Sequence, residues 1–246
     1  MKKRIVLLRH GESLWNKENR FTGWYDVDLT ERGIKEAINA GLSLKNEKFE
    51  FNKAYTSFLK RAIKTLYYVL DVLDRNWIPI EKCWKLNEKH YGALQGLNIN
   101  EAYSIYGHQV DAWKSSYHLA PAPLDTYDSR SPYLDVKYKN VNDHLPLTES
   151  LLDAYERIIP YWNNVIMNEL NYYNQLLVVL HANSIHAILK NTMNISNEDI
   201  TLLDMPTAIP YIIEFDNYGK IINDYFLSDT DESIKFKNII NSIRKL

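Results

Sequence analysis

Two stretches, "RIVLLRHGES" at residues 4–13 and "QLLVVLHANSIHAILKN" at residues 175–191, constrain the fold of this chain more than any other feature. In each, an unbroken apolar run stops abruptly, at Arg9-His10 in the first and at His181 in the second. A strand that is apolar at every position, rather than at every second one, is buried on both faces. Such strands alternating with helical stretches predict an α/β fold of three layers, a mostly parallel central sheet with helices on both faces.

The rest of the chain fills in that plan. "TERGIKEAINAGLSLKN" (30–46) reads as an amphipathic helix capped by Thr30, with Gly33 an early weak point. "FNKAYTSFLKRAIKTLYYVLDVL" (51–73) reads as strand, turn and long helix, and "WIPIEKCWKLNE" (77–88) as a further strand. Residues 98–148 differ in texture: a helical stretch, "NINEAYSIYGHQVDAWKSSYH", gives way to irregular sequence, and the segment holds four of the eight prolines. They are read as an insertion capping the site within a single domain of residues 1–246. "DESIKFKNIINSIRKL" (231–246) fits a closing amphipathic helix.

Bulk composition narrows the function by exclusion. A net charge of −2 gives no reason to expect a nucleic-acid or acidic-membrane partner, so any anion must be met by local charge. The start "MKKRIVLL" is too short in apolar residues for a secretory leader, and no 18-residue apolar run predicts a membrane span. One cysteine, Cys83, rules out an internal disulfide and fits the cytoplasm.

In an open parallel sheet, ligands bind beyond the carboxyl ends of the strands. His10 and His181 both stand there, and Arg61, just after "YTS", and Glu88, closing "CWKLNE", occupy comparable places. By ligand type, His10, His181 and Glu88 would suit zinc, but the adjacent Arg9 and Arg61 would repel a dication. The same cations suit a phosphate group, which guanidinium holds bidentately. Positive charge keeps a neighbouring imidazole unprotonated, so its nitrogen can attack phosphorus. A second histidine, if protonated, can stabilise the equatorial oxygens, and a carboxylate can pass a proton to the leaving oxygen.

Longer motifs carry a resemblance. "LLRHGESLWNKENRFTGWYDVDLTERG", "TSFLKRAIKT", "WKLNEKHYGALQGLN", "PLTESLLDAYERIIPYW", "HANSIHAILK" and "MPTAIPYIIEFD" follow one another along nearly the whole chain. In that order they resemble the cofactor-dependent phosphoglycerate mutases of the histidine phosphatase superfamily. The resemblance implies a metal-independent, glycolytic interconversion of 3-phosphoglycerate and 2-phosphoglycerate through phosphohistidine, primed by 2,3-bisphosphoglycerate. It implies His10 as nucleophile, Arg9, Arg61 and His181 as the phosphate pocket, and Glu88 as proton donor and acceptor. Ser13, Asn16, Thr22, Gly23, Tyr91 and Asn183 match substrate-lining positions, and Lys114 one of a cation pair. A homodimer or homotetramer is implied, paired through the strand near Trp77 and the "LYYVLDVL" helix.

Several positions depart from the pattern. Ile99 stands for a lysine, Lys114-Ser115 for an arginine pair, His186 for an arginine, Ala182 for a glycine and Lys89 for an arginine. The Gly/Lys-rich C-terminal extension is not found before Leu246. Arg-to-Lys drift suits a chain with 18 tyrosines and abundant Asn, Ile and Lys, but Ile99 and Ser115 delete charge. Each charged hydrogen bond lost costs about 1.5–3 kcal/mol. Two other readings therefore stay open here: a phosphatase on a phosphorylated metabolite, and a degenerate member acting as a binding or regulatory subunit. His90, His108, His118 and His144 are read as surface or loop residues. His186 is read as facing either the pocket or the core.

Overall fold

A computed structural model describes residues 2–243. Its six strands are β1 (Lys3–Arg9), β2 (Lys53–Thr56), β3 (Ile80–Lys82), β4 (Gln175–Leu180), β5 (Tyr211–Phe215) and β6 (Ile221–Phe226). They form one sheet in the order β3-β2-β4-β1-β5-β6. β3, β2, β4 and β1 run parallel, with Arg4 opposite Gln175 and Arg9 opposite Leu180 at the centre. β5 joins β1 antiparallel, and β6 joins β5 antiparallel. The two apolar runs are thus the two central strands.

Among the described residues, ten α-helices accompany the sheet: α1 (Leu14–Lys17), α2 (Glu31–Asn46), α3 (Lys60–Leu73), α4 (Ile99–Tyr106), α5 (Gln109–Ser115), α6 (Leu151–Tyr161), α7 (Met167–Glu169), α8 (Ala182–Met193), α9 (Asn197–Ile200) and α10 (Asp231–Ile243), with a π-helical stretch at Trp162–Ile166 joining α6 to α7. Residues 244–246, where the closing helix was expected to continue, lie outside the described residues. Ile5 and Leu7 of β1 pack with Ile158 of α6 and Ile185 of α8, while Val6 and Leu8 pack with Leu44 of α2 and Leu66 of α3. Burial on both faces is what made those runs continuously apolar. α2 and α8, which follow β1 and β4, cover opposite faces, so the chain leaves a crevice between the ends of these neighbours.

The structure corrects three details. The strand expected in "WIPIEKCWKLNE" is only β3; a 3₁₀ turn at Trp84–Leu86 follows, and Trp84 is buried against Trp24. Gly33 is no weak point: a Cβ there would stand 2.0 Å from the Glu12 carbonyl oxygen, so glycine lets α2 press on the loop after His10. His90 is fully buried, its Nδ1 accepting from the Gly92 N–H at 3.0 Å and its ring 5.4 Å from that of Trp24. His108, His118 and His144 are exposed as expected.

The helical stretch of residues 98–118 breaks at Gly107, whose φ of +57° ends α4 before α5 begins. Beyond α5 the insertion is irregular apart from two 3₁₀ turns. Its helices pack Ala102 and Val110 on Leu94, with Phe21 and Tyr91 alongside. Ile99 joins that apolar cluster, which gives its side chain a packing role. Among the described residues no helix is long and apolar enough to cross a membrane.

Candidate active site

The ends of β1 and β4 set His10 and His181 side by side, ring centroids 5.1 Å apart and both buried. His10 Nδ1 lies 2.7 Å from the Gly11 carbonyl, which can only accept, so Nδ1 carries the proton. Nε2 is then the lone-pair nitrogen, and it accepts from Arg61 Nε at 3.1 Å. The partners therefore choose the tautomer. Arg61, in the first turn of α3, also donates to the carbonyls of Gly23 at 2.8 Å and Tyr25 at 3.1 Å. One turn on, Thr65 donates to the Arg61 carbonyl and accepts from the Gly11 N–H, tying α3 to the His10 loop.

Burial is the main electrostatic force here. It holds both His10 and His181 well below the ordinary imidazole range, with Arg61 and Arg9 adding to the effect at each. Both rings are neutral near pH 7. Burial also lowers Arg61 to about 10, which leaves it charged. Tyr91 is pushed up by burial and by the Glu88 carboxylate, so its hydroxyl keeps its proton while accepting from Asn183 Nδ2 at 3.1 Å.

Arg9, His10, Asn16, Thr22, Gly23, Arg61, Glu88, Tyr91 and Asn183 line one crevice of about 140 Å³. Arg20, Phe21 and Ala182 line it too, and sequence reasoning did not select them. His181 reaches this group through its ring contact with His10. Two expected residues are placed elsewhere. The Ser13 hydroxyl is buried and caps α1, accepting from the Asn16 N–H and donating to Asn16 Oδ1 at 2.7 Å. Lys114 is exposed at the end of α5, which turned away at Gly107. A roomier groove of about 530 Å³ between Trp84, Leu147 and Pro160 gathers none of the crevice residues.

Glu88 is held by residues that the sequence did not mark. Its carbonyl accepts from Trp24 Nε1 at 2.6 Å and from Arg157 Nη2 at 3.1 Å. Arg157 is itself fixed by a buried ion pair to Glu149 at 2.6 Å. His181 Nε2 lies 2.8 Å from Ser57 Oγ. Local sequence carried no signal for these partners, because each acts across a long chain separation.

Two buried polar atoms of the group, Arg9 Nε and His181 Nδ1, have no hydrogen-bond partner among the described residues. A buried donor left so is costly, by about 1–3 kcal/mol. Phosphoryl oxygens are acceptors that suit the Arg9 donor and, when Ser57 donates to Nε2, the His181 Nδ1–H as well. The residues present thus fit a phosphate ester. Arg9 is steadied by its Nη1 donating to the Met205 carbonyl at 2.5 Å. The arrangement offers an unprotonated imidazole nitrogen, cations around it and a carboxylate, which together can transfer a phosphoryl group.

Residues 5–227 match the family model of the histidine phosphatase superfamily, branch 1. A Parabacteroides distasonis protein named 2,3-bisphosphoglycerate-dependent phosphoglycerate mutase is 57% identical over 240 residues, 97% of each chain. One of the same name from Elusimicrobium minutum is 56% identical, also over 97% of each. Among solved structures, Bacillus stearothermophilus YhfR aligns with a TM-score of 0.68 at 24% identity, over 89% of this chain and 94% of that one. The alpha-ribazole phosphatase of Shigella flexneri gives 0.66 at 20%, over 87% and 91%. At such identities these two show the fold alone.

Proposed function

Because the chain belongs to the histidine phosphatase superfamily, branch 1, we propose that it is a 2,3-bisphosphoglycerate-dependent phosphoglycerate mutase, interconverting 3-phosphoglycerate and 2-phosphoglycerate. The observation that carries this reading is the neutral His10 with its Nε2 lone pair turned to Arg61, in a chain 57% identical to a relative so named. One catalytic domain then spans the chain, with residues 98–148 inserted.

In this mechanism His10 Nε2 attacks phosphorus, an N–P bond forms and the ester P–O bond breaks. Glu88 gives a proton to the departing alkoxide and recovers it from the attacking hydroxyl on return. Arg9, Arg61 and His181 hold the phosphoryl oxygens, and the N–H that Arg61 gives to Nε2 passes to one of them before attack. Asn16, Thr22, Gly23, Tyr91 and Asn183 contact the glycerate. When bound, 2,3-bisphosphoglycerate supplies the phosphoryl group that primes His10. Lys114 and Ser13 are not among the residues lining the crevice.

Cys83, a free thiol, supports a reducing cytoplasm. The edge position of β3, with Trp77 72% exposed beside it, supports pairing of two copies along that edge. The enzyme is expected to become labelled at His10 by 2,3-bisphosphoglycerate and to equilibrate the two phosphoglycerates. His10→Ala should abolish both, as read by phosphoprotein analysis and a coupled assay, and undiminished labelling of that variant overturns the reading.

A further inference from the structure

We propose that Arg20 binds the substrate's second anionic group, the one not being transferred, and that Glu101 at the start of α4 competes for it. The inference rests on the phosphoglycerate reading above. Such a substrate carries a phosphate and a carboxylate, and so needs two cationic subsites. Arg9 and Arg61 are gathered at His10. Among the residues lining the crevice, Arg20 is the remaining cation. Lys114 is exposed elsewhere, and Lys89, which does not line the crevice, has its Nζ over the Tyr91 ring at 4.6 Å.

The backbone at Arg20 is firmly placed, while the acidic partners of its side chain stand in solvent. Arg20 bridges to Asn98 as in an antiparallel pair, and next to it the Phe21 N–H donates to the Leu97 carbonyl at 3.0 Å while the Phe21 carbonyl accepts from the Gly96 N–H at 2.9 Å. Its guanidinium donates to the Gly96 carbonyl at 2.7 Å, to Glu18 at 2.8 Å and to Glu101 at 3.0 Å. Both carboxylates are about half exposed, 52% and 45%, so these pairs are weak. A ligand carboxylate in the crevice offers the planar fork a bidentate partner in a less wet place, where it outcompetes them.

Titration calorimetry on the full chain, with 3-phosphoglycerate and inorganic phosphate as separate probes, tests this. Arg20→Met should weaken 3-phosphoglycerate about 10- to 100-fold, as for loss of a charged hydrogen bond, and leave phosphate within about 2-fold. Arg20→Lys should recover part of the loss. Glu101→Gln, which removes the competitor, should tighten 3-phosphoglycerate alone. If Arg20 only anchors α4, the two ligands weaken together or not at all in Arg20→Met, and Glu101→Gln does not tighten binding; either result overturns the proposal. Wild-type protein that binds 3-phosphoglycerate no better than phosphate overturns both this and the glycerate reading. Labelling of His10 by 2,3-bisphosphoglycerate tests the phosphohistidine chemistry independently.

Discussion

Four buried histidines give the molecule a definite response to acid. Burial is the main cause that holds His10, His90, His181 and His186 below the ordinary range, His90 and His186 at about 3. In the unfolded chain they titrate near 6.5, so below that pH the unfolded state binds more protons than the fold. Stability contributed by neutral histidine is therefore present above about pH 6.5 and lost below it, by up to about 1.4 kcal/mol per pH unit for each ring. A urea series from pH 8 to 4.5 should show a steep fall beginning near 6.5, and a flat profile through pH 6 contradicts these burials. Lys89, lowered to about 8 by burial, works over another window: its cost shrinks as pH rises from about 8 towards 10.5. In the proposed mechanism, the same neutrality leaves the His10 Nε2 lone pair free to attack in mild acid.

Between elements, the closest approach that matters to the site is α2 against the His10 loop. Thr30, the α2 cap, donates its N–H to the Glu12 carbonyl at 2.9 Å, and Gly33 leaves room for that carbonyl. Gly33→Ala should cost about 1–3 kcal/mol by overpacking and should slow His10 labelling by displacing the loop. Wild-type melting and labelling in that variant would show the loop to be more yielding than its contacts indicate. The same contrast between local and distant determinants explains what was legible in the sequence. His10 and His181 could be placed because each ends an apolar run, and Arg61 because it opens a helix after a strand. Arg20 could not, since its position depends on a bridge to Asn98 far along the chain. Lys114 stands apart from the crevice because the turn at Gly107, which parts α4 from α5, redirects the helix that carries it, and no local pattern announces that turn's direction. The Ser13 cap was legible as well, since its partner Asn16 stands three residues away in plain sequence.

Across the whole molecule, the sheet order puts β1 and β4 in the middle, with β2 and β5 pairing their outer sides. Amides of residues 5–9 and 176–180 should exchange with solvent deuterium only through global unfolding, whereas those of α4 and α5 should exchange by smaller openings. Equal protection of the two regions would refute this. The Arg9-His10 step and His181 follow the two central strands, expected to exchange slowest, and Glu101 rides on a segment with its own small cluster. The enzyme thus separates two clocks. On that order of exchange, the wall that carries Glu101 can fluctuate many times while His10 and His181 keep their spacing.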